Sequence, residues 1–446
     1  MKEREKFSSR LGFILISAGC AIGIGNVWRF PYITGQYGGA AFVLIYLLFL
    51  VILGLPIMVM EFAVGRASRK SAARSFHLLE PKGTKWHLYS YGAMLGNYML
   101  MMFYTTVGGW MLAYFFKIAS GTFTGLDTDG VGNVFNTLLS NPGEMTFWMV
   151  VVTAFGFGTC CMGLQKGVER ITKVMMVCLL TIMVVLCIKS CTLPGAIEGI
   201  KFYLLPDFGR LKENGLLSGI YAAMGQAFFS LSVAGNGSVI YGSYLPRNED
   251  LPSSARNVAL FDTMAALLAA IVIIPAMAVV LGEGISEMKG GPGLMFVYLV
   301  NVFNAMPGGR IVGMIFYICV LFAGVSSIVN LYEAPVAFLQ EKFHTKRVTS
   351  VVIIGVVGGI IALCIQPWTS QWMDVVSIYI CPLGALLAGI MFFWVMKKDT
   401  ALAAVHEGRT EGKKSISSWF YPLGKWAYCI CSLLALILGA IYGGIG

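Results

Sequence analysis

Long apolar segments recur along the whole chain and are separated by short polar stretches. A hydrocarbon core about 30 Å thick is crossed by roughly 20 helical residues, and each segment is long enough for one crossing. The segments are residues 11–33, 39–65, 88–118, 144–162, 167–188, 215–243, 255–283, 309–341, 348–366, 374–396 and 421–442. The pattern predicts an all-α integral membrane protein with eleven transmembrane helices.

Composition and charge agree with a position in the bilayer. Hydrophobic residues make up 57% of the 446 residues and charged residues 12%, and the mean hydropathy is +0.76, too apolar for a soluble domain. The net charge of +10 comes from Lys and Arg concentrated in every second connection. By the positive-inside rule this predicts a plasma (inner) membrane protein with a cytoplasmic N-terminus and an extracellular C-terminus, and it argues against nucleic-acid binding.

The first apolar segment contains residues that weaken a helix. The stretch GCAIGIGNVWRFP, residues 19–31, carries three glycines, an asparagine, an arginine and a proline. Glycine makes the backbone easy to unwind, and backbone unwound at membrane depth needs partners other than lipid, such as ions or polar ligand groups. The stretch therefore predicts a ligand site.

The sixth segment has a matching interruption in GQAFFSLSVAGNGSVIYGSY, residues 225–244. The offset of five helices predicts two inverted five-helix repeats, 11–208 and 209–396. Residues 1–10 form a cytoplasmic N-terminal segment, 397–420 a solvated cytoplasmic loop and 421–446 the eleventh helix. Broken helices at matching positions indicate the midplane site of a transporter. Their half-helix ends favour a zwitterion together with sodium.

Other chemistries have little support in the sequence. Most of the eleven cysteines fall inside predicted spans, and the four histidines lack metal-ligand spacing, which argues against a zinc site. No nucleophile and base pair, metal motif or phosphate loop is apparent, so an enzyme is not expected.

Four blocks carry a family resemblance: GCAIGIGNVWRFP, GGAAFVLIY, GQAFFSLS and AGVSSIVNLYEAPVAFL. Together they resemble the neurotransmitter:sodium symporter family, and in particular its eleven-helix bacterial amino acid transporters. The resemblance implies a sodium-coupled amino acid symporter that works by alternating access.

The resemblance also implies two sodium sites built entirely from oxygen ligands, which suit a hard cation. The first corresponds to Ala21, Asn26, Ser230 and Asp262. The second corresponds to Gly19, Ile22, Ala323, Ser326 and Ser327.

Asp262 leads to a further expectation because a carboxylate near the bilayer centre is costly without a cation. Chloride-dependent relatives complete this region with an anion, whose cradle corresponds to Tyr46, Gln226 and Ser230. We expect Asp262 to ligate sodium and to supply the negative charge, so that chloride is not needed. A surface aspartate at a helix start is the alternative.

The resemblance implies a substrate pocket in the same helices. It corresponds to Cys20, Ala21, Ile24, Gly25, Leu100, Tyr104, Phe229, Ser230, Ser232, Gly235, Ser327 and Leu331. Gly23 stands where monoamine carriers place an aspartate, which favours an α-amino acid. Gly235 stands where relatives often carry a bulky residue, which favours a large neutral side chain unless a neighbour refills the space.

Gates are implied on both sides of the pocket. Arg29 and Asp374 match an extracellular pair, with Phe229 as the lid. Arg4 and Glu341 match a cytoplasmic pair that Tyr244 supports.

Two alternatives stay open at the level of sequence. Glu61, Asp262 and Glu333 within spans keep a proton-coupled carrier possible, although a structural role is favoured for Glu61 and Glu333. An ion channel is less favoured, because two unlike broken helices do not repeat as a filter does. The oligomeric state is not determined.

Overall fold

The computed structural model describes residues 7–231, 237–281, 290–409 and 416–442. All regular secondary structure in these ranges is helical. The predicted site residues Arg4, Ser232 and Gly235 lie outside the described residues.

The helices are numbered here in chain order. They are α1 Arg10–Ala21, α2 Gly25–Gln36, α3 Ala40–Ser68, α4 Ala72–Leu79, α5 His87–Ser120, α6 Thr128–Leu139, α7 Pro142–Cys161, α8 Leu164–Cys191, α9 Ala196–Leu204, α10 Phe208–Glu213, α11 Leu216–Ser230, α12 Gly237–Tyr244, α13 Leu251–Leu281, α14 Leu294–Ala305, α15 Gly309–Phe343, α16 Arg347–Ile365, α17 369–395, α18 Lys398–His406 and α19 Ser418–Ile441.

Each of the eleven predicted segments coincides with a long apolar helix or with a pair of shorter ones. The first corresponds to α1 and α2, whose axes bend by 60°, and the sixth to α11 and α12, which lie on either side of residues 232–236. The helical run Arg347–Val395 is interrupted at Gln366–Trp368 and supplies two segments, α16 and α17. Within the described residues, the prediction of an all-α chain with long apolar helices is confirmed.

The break in the first segment lies where its glycines are. Helix α1 ends at Ala21, and Ile22 is extended, with φ −69° and ψ 96°. A Cβ atom built on Gly25 would lie 2.4 Å from the Phe229 ring, so only glycine permits this approach of α2 to α11. The break therefore follows from both backbone freedom and packing against the sixth segment.

The broken helices lie at the centre of the bundle. Helix α1 packs against α8, α13 and α15, and α2 contacts α11 and α13. Helix α12 packs along α3, and α15 packs along α5. Unwound backbone of α1 is thereby enclosed by protein rather than by lipid, as membrane-buried backbone requires.

The segment 397–420, expected to be a solvated loop, contains helix α18. Its residues Ala401 and Val405 are buried, and Arg66 of α3 donates a hydrogen bond to the Ala404 carbonyl at 3.0 Å. With nine residues, α18 is too short to give the long apolar signal of a membrane span.

Candidate functional site

A fully buried polar cluster joins the two broken helices to α13. Asn26 lies in the first turn of α2, Ser230 ends α11, and Asp262 lies within α13. The Asn26 Nδ2 group donates to Asp262 Oδ1 at 2.7 Å, and the Ser230 hydroxyl donates to Asp262 Oδ2 at 2.6 Å. Asn26 Nδ2 also lies 3.2 Å from Ser230 Oγ. The structure thus brings together three of the four residues expected at the first sodium site, and Ala21, the fourth, ends α1.

The donor set of this cluster fits a small hard cation. Asn26 Oδ1 is buried and has no hydrogen-bond donor among the described residues. The Asp262 carboxylate is bonded by neutral side chains, and no Lys, Arg or His of the described ranges pairs with it. A buried acceptor and a buried carboxylate are both costly without a partner, and one cation would satisfy both.

The surface-aspartate alternative for Asp262 is wrong. Its exposed fraction is 0%, and it lies inside α13 rather than at its first turn. The neighbouring Tyr46 donates to Ser230 Oγ at 3.1 Å, and Gln226 Nε2 donates to the Gly25 carbonyl at 3.4 Å. Of the residues expected to match the chloride cradle of relatives, Ser230 bonds the Asp262 carboxylate, Tyr46 bonds Ser230, and Gln226 bonds the residue before Asn26.

A second oxygen cluster lies between α1 and α15. The Ser326 hydroxyl contacts the carbonyl oxygens of Gly19 at 3.1 Å and Ala323 at 3.0 Å. The Ser327 hydroxyl lies 3.5 Å from the Ile22 carbonyl. These are the five residues expected at the second sodium site, and all are buried. The end of α1 and the extended residue after it place these carbonyl groups opposite the two hydroxyls.

A cavity of about 70 Å³ lies between α2, α5, α11 and α17. Its lining is mostly aromatic and apolar, with one arginine and one aspartate. It consists of Ile24, Trp28, Arg29, Phe103, Tyr104, Tyr221, Gly225, Phe228, Phe229, Met373, Asp374, Ser377, Ile378, Cys381, Pro382 and Ala435. A concave, largely apolar cavity with a few polar groups is typical of a small-molecule site.

The cavity contains some of the expected pocket residues but not all. Ile24, Tyr104 and Phe229 line it, whereas Cys20, Ala21, Gly25, Leu100, Ser230, Ser327 and Leu331 are not among its lining residues. All of these except the half-buried Leu100 are buried. Two of them adjoin lining residues: Gly25 contacts the Phe229 ring, and Ser230 follows Phe229.

The expected outer gate residues lie at this cavity. Arg29 and Asp374 both line it, and the Arg29 guanidinium lies over the Phe229 ring at 4.8 Å from its centroid. The stacking holds the cationic group above the expected lid by a cation–π contact. An aromatic ring, an arginine and an aspartate thus meet at one boundary of the cavity.

Sequence reasoning missed part of the lining. Trp28, Phe103, Tyr221 and the α17 residues Met373 and Ser377 were not expected there. Trp28 and Phe103 each adjoin an expected residue in sequence, and that adjacency was the available signal. Met373 likewise adjoins the expected Asp374. No local motif marks Ser377, which reaches the cavity through the packing of α17 against α5.

The profile of the sodium:neurotransmitter symporter family matches residues 4–137 and 131–438. The chain belongs to the sodium:neurotransmitter symporter family. It is also 34% identical to the uncharacterized sodium-dependent transporter YhdH of Bacillus subtilis strain 168, with 94% of each chain covered. The sodium-dependent neutral amino acid transporter B(0)AT3 of Rattus norvegicus is 23% identical, over 87% of this chain and 76% of that one.

The fold of the symporter agrees with a solved structure. The crystal structure of MhsT in complex with L-phenylalanine matches with a TM-score of 0.86 and 33% identity, covering 98% of this chain and 100% of that one. The symporter is therefore a sodium-dependent membrane transporter and not an enzyme, as expected from sequence.

Glu341 lies at the other end of the bundle, where it is hydrogen-bonded to Ser71, the residue before α4. Its carboxylate accepts hydrogen bonds from the Ser71 amide at 2.9 Å and the Ser71 hydroxyl at 2.8 Å. Tyr244, expected to support this gate, donates to Glu333 at 2.6 Å. Phe7 packs edge-on against the Tyr244 ring at 5.8 Å between centroids. Tyr244 thus connects the N-terminal segment with a buried acidic residue.

Glu61 and Glu333, the acids for which sequence favoured a structural role, hold helices together. Glu333 Oε2 lies 2.6 Å from Arg347 Nη2, with exposed side-chain fractions of 0% and 13%. Glu61 Oε2 accepts a hydrogen bond from the Ser238 amide at 3.1 Å, at the start of α12. Glu61 therefore bonds a backbone group released by the broken sixth segment, which is the structural role favoured from sequence.

Proposed function

We propose that the symporter couples sodium entry to the uptake of a neutral, large hydrophobic or aromatic L-amino acid by alternating access, and that it does not require chloride. The observation that carries the proposal is the buried Asp262 carboxylate. It accepts hydrogen bonds from Asn26 and Ser230 of the two broken helices. It also lies beside Asn26 Oδ1, which accepts no hydrogen bond from any residue that the structure describes. This arrangement favours a cation at the point where both broken helices meet.

Two sodium ions are proposed. Asn26, Ser230, Asp262 and the Ala21 carbonyl would hold the first, and the buried polar cluster described above supports it. The cluster of Gly19, Ile22, Ala323, Ser326 and Ser327 would hold the second, between α1 and α15. Ser230 and Ser327 also belong to the proposed substrate pocket, so the substrate and the sodium ions would share these two residues.

An amino acid is favoured over an amine by the space around Gly23. A Cβ atom there would lie 2.9 Å from the Tyr104 hydroxyl and 3.1 Å from Ser327 Oγ, which leaves no room for an acidic side chain. The substrate would then supply its own carboxylate, with Tyr104 available to donate to it. The aromatic lining of the adjoining cavity supports a large neutral side chain, and MhsT binds L-phenylalanine in its crystal structure.

Chloride independence is proposed because Asp262 already places a negative charge beside Ser230 and its neighbour Tyr46, two of the three side chains that correspond to the chloride cradle. An anion bound among those side chains would lie next to a buried carboxylate, and like charges in a buried site repel strongly.

Sodium is favoured over protons as the coupling ion because the other buried acids have structural partners. Arg347 offsets the charge of Glu333, and Glu61 bonds the start of α12. A proton carrier would need an acid that is free to titrate during the cycle. Asp262 has no basic partner among the described residues, and it lies beside Asn26, whose Oδ1 atom would be a second oxygen ligand for a hard cation.

The gates follow from the same geometry. Arg29, Asp374 and Phe229 would close the outer side. Arg4 with Glu341 would close the inner side, with Tyr244 as a supporting residue. We further propose a plasma (inner) membrane location, with the N-terminus cytoplasmic and the C-terminus extracellular, and the two five-helix repeats 11–208 and 209–396.

The test is uptake of labelled L-amino acids into proteoliposomes that contain the purified protein, with an inward sodium gradient, in chloride and in gluconate. We expect saturable uptake of a large neutral amino acid that needs sodium and is equal in both anions. Uptake that requires chloride would refute the role of Asp262, and selective uptake of an amine without a carboxylate would refute the substrate class.

A further inference from the structure

A compact cluster of His77, Glu80 and His87 lies where α4 connects to α5, outside the site described above. The Nδ1 atoms of His77 and His87 lie 3.1 Å and 2.6 Å from the same oxygen, Glu80 Oε1. The two imidazole rings meet edge to face with centroids 4.9 Å apart. Two of the four histidines of the chain are thereby directed at one carboxylate oxygen.

The Glu80 carboxylate is held in this orientation by hydrogen bonds to its second oxygen, Oε2. Glu80 Oε2 accepts hydrogen bonds from the His87 amide at 3.0 Å and from the Thr84 hydroxyl at 3.4 Å. Such outer contacts fix the direction of a ligating group and are a regular feature of metal sites. They leave Oε1 directed at the two histidines.

We propose that His77, Glu80 and His87 form a binding site for a divalent transition-metal ion, with zinc as the best match. Two imidazoles and one carboxylate with an open fourth position are a ligand set that zinc uses. The three ligand atoms lie within 4.8 Å of one another. Tetrahedral zinc ligands at 2.0–2.1 Å lie about 3.3 Å apart, so small side-chain rotations suffice.

The expectation from sequence that no zinc site exists is thus revised. The spacing of three and seven residues matches no short zinc motif, because the three ligands lie on two helices and the turn between them. The side chain of His77 is 65% exposed, which leaves the fourth position open to water.

A bound ion would fasten the end of α4 to the start of α5. The other end of α4 is already attached to α15, since the Ser71 amide and hydroxyl bond Glu341 and Arg74 Nη1 donates to the Glu341 carbonyl at 3.0 Å. Because Glu341 is a proposed inner gate residue, zinc on this face would stiffen the gate and slow transport. This consequence rests on the proposed function, whereas metal binding itself does not.

Binding is tested by calorimetric titration of Zn²⁺ alone into the full chain in detergent. The chain is purified without a histidine tag, stripped with a chelator and saturated with sodium. We expect one zinc ion per chain, and a loss of affinity of at least about tenfold in His77→Gln and in His87→Gln. The control is His344→Asn, because His344 is exposed and has φ 53°, a conformation that asparagine tolerates. Zinc binding that is equal in all three variants and the wild type would overturn the site.

The regulatory consequence is tested with zinc on one side of the proteoliposome membrane at a time. We expect zinc on the α4 face to slow sodium-driven uptake in the wild type and in His344→Asn, but not in His77→Gln. Zinc that binds without changing the uptake rate would overturn the regulation. Uptake in the absence of zinc reports separately on the proposed function.

Discussion

Replacing Asp262 by asparagine removes the charge at the proposed first sodium site while keeping its size. The carboxylate accepts hydrogen bonds from Asn26 at 2.7 Å and Ser230 at 2.6 Å. An amide has only one oxygen, so one of these donors would face an NH₂ group. We therefore expect Asp262→Asn to disturb the cluster as well as the charge.

The size of the effect follows from the burial of the group. A hydrogen bond to a charged group contributes about 1.5–3 kcal/mol, and two unit charges about 4 Å apart interact by about 4 kcal/mol at an effective dielectric constant of 20. Since 1.4 kcal/mol corresponds to a factor of ten, we expect sodium affinity to fall by roughly ten- to a thousandfold.

The assay is sodium titration of labelled substrate binding to purified protein, in gluconate and in chloride. In the wild type, both anions should give the same curve. In Asp262→Asn, chloride should recover part of the lost affinity, because Tyr46, Gln226 and Ser230 then adjoin a cation without a counter-charge. An unchanged sodium curve in the variant would refute the assignment of Asp262, and a loss that chloride does not alter would refute its role as the fixed anion.

Three further predictions test other parts of the account. Ser326→Ala should raise the sodium concentration that half-saturates uptake by roughly tenfold, because one ligand oxygen is lost. The control Ser432→Ala removes a buried hydroxyl that donates to the Tyr428 carbonyl within α19 and should leave this concentration unchanged; equal effects would contradict the second site. Gly23→Ala should weaken substrate binding by about tenfold, because the added Cβ atom would lie 2.9 Å from the Tyr104 hydroxyl. The control Gly158→Ala should bind substrate normally, because a Cβ atom there would have no neighbour within 4 Å among the described residues. Glu333→Gln should lower the free energy of unfolding by about 3 kcal/mol, because it removes the buried negative charge that faces the Arg347 guanidinium. A melting temperature equal to that of the wild type would argue against this structural role.

Hydrophobic segments alone predicted where the long apolar helices lie, because a helix satisfies its backbone hydrogen bonds within one segment of the chain. The break in the first segment was also predictable, since Gly23 and Gly25 alternate and the polar Asn26 follows them, an arrangement that makes the backbone easy to unwind. The short helix α18 was not, because its buried residues Ala401 and Val405 give little apolar signal.

The oxygen clusters were identified through family motifs and not through spacing. Asn26, Ser230 and Asp262 come from three segments far apart in the chain, and only tertiary packing brings them within hydrogen-bond distance. Leu100 shows the limit of that reasoning: it lies one helical turn from Tyr104 on α5, yet it is not part of the cavity lining. The cluster of His77, Glu80 and His87 escaped prediction because a turn between two helices sets its geometry.

The most direct test of the central claim is accumulation of labelled L-phenylalanine in chloride-free proteoliposomes, driven by a sodium gradient at equal pH on both sides. A parallel sample receives a proton gradient at equal sodium. The account predicts accumulation above the external concentration with the sodium gradient and none with the proton gradient. Accumulation driven by protons without a sodium gradient would contradict it.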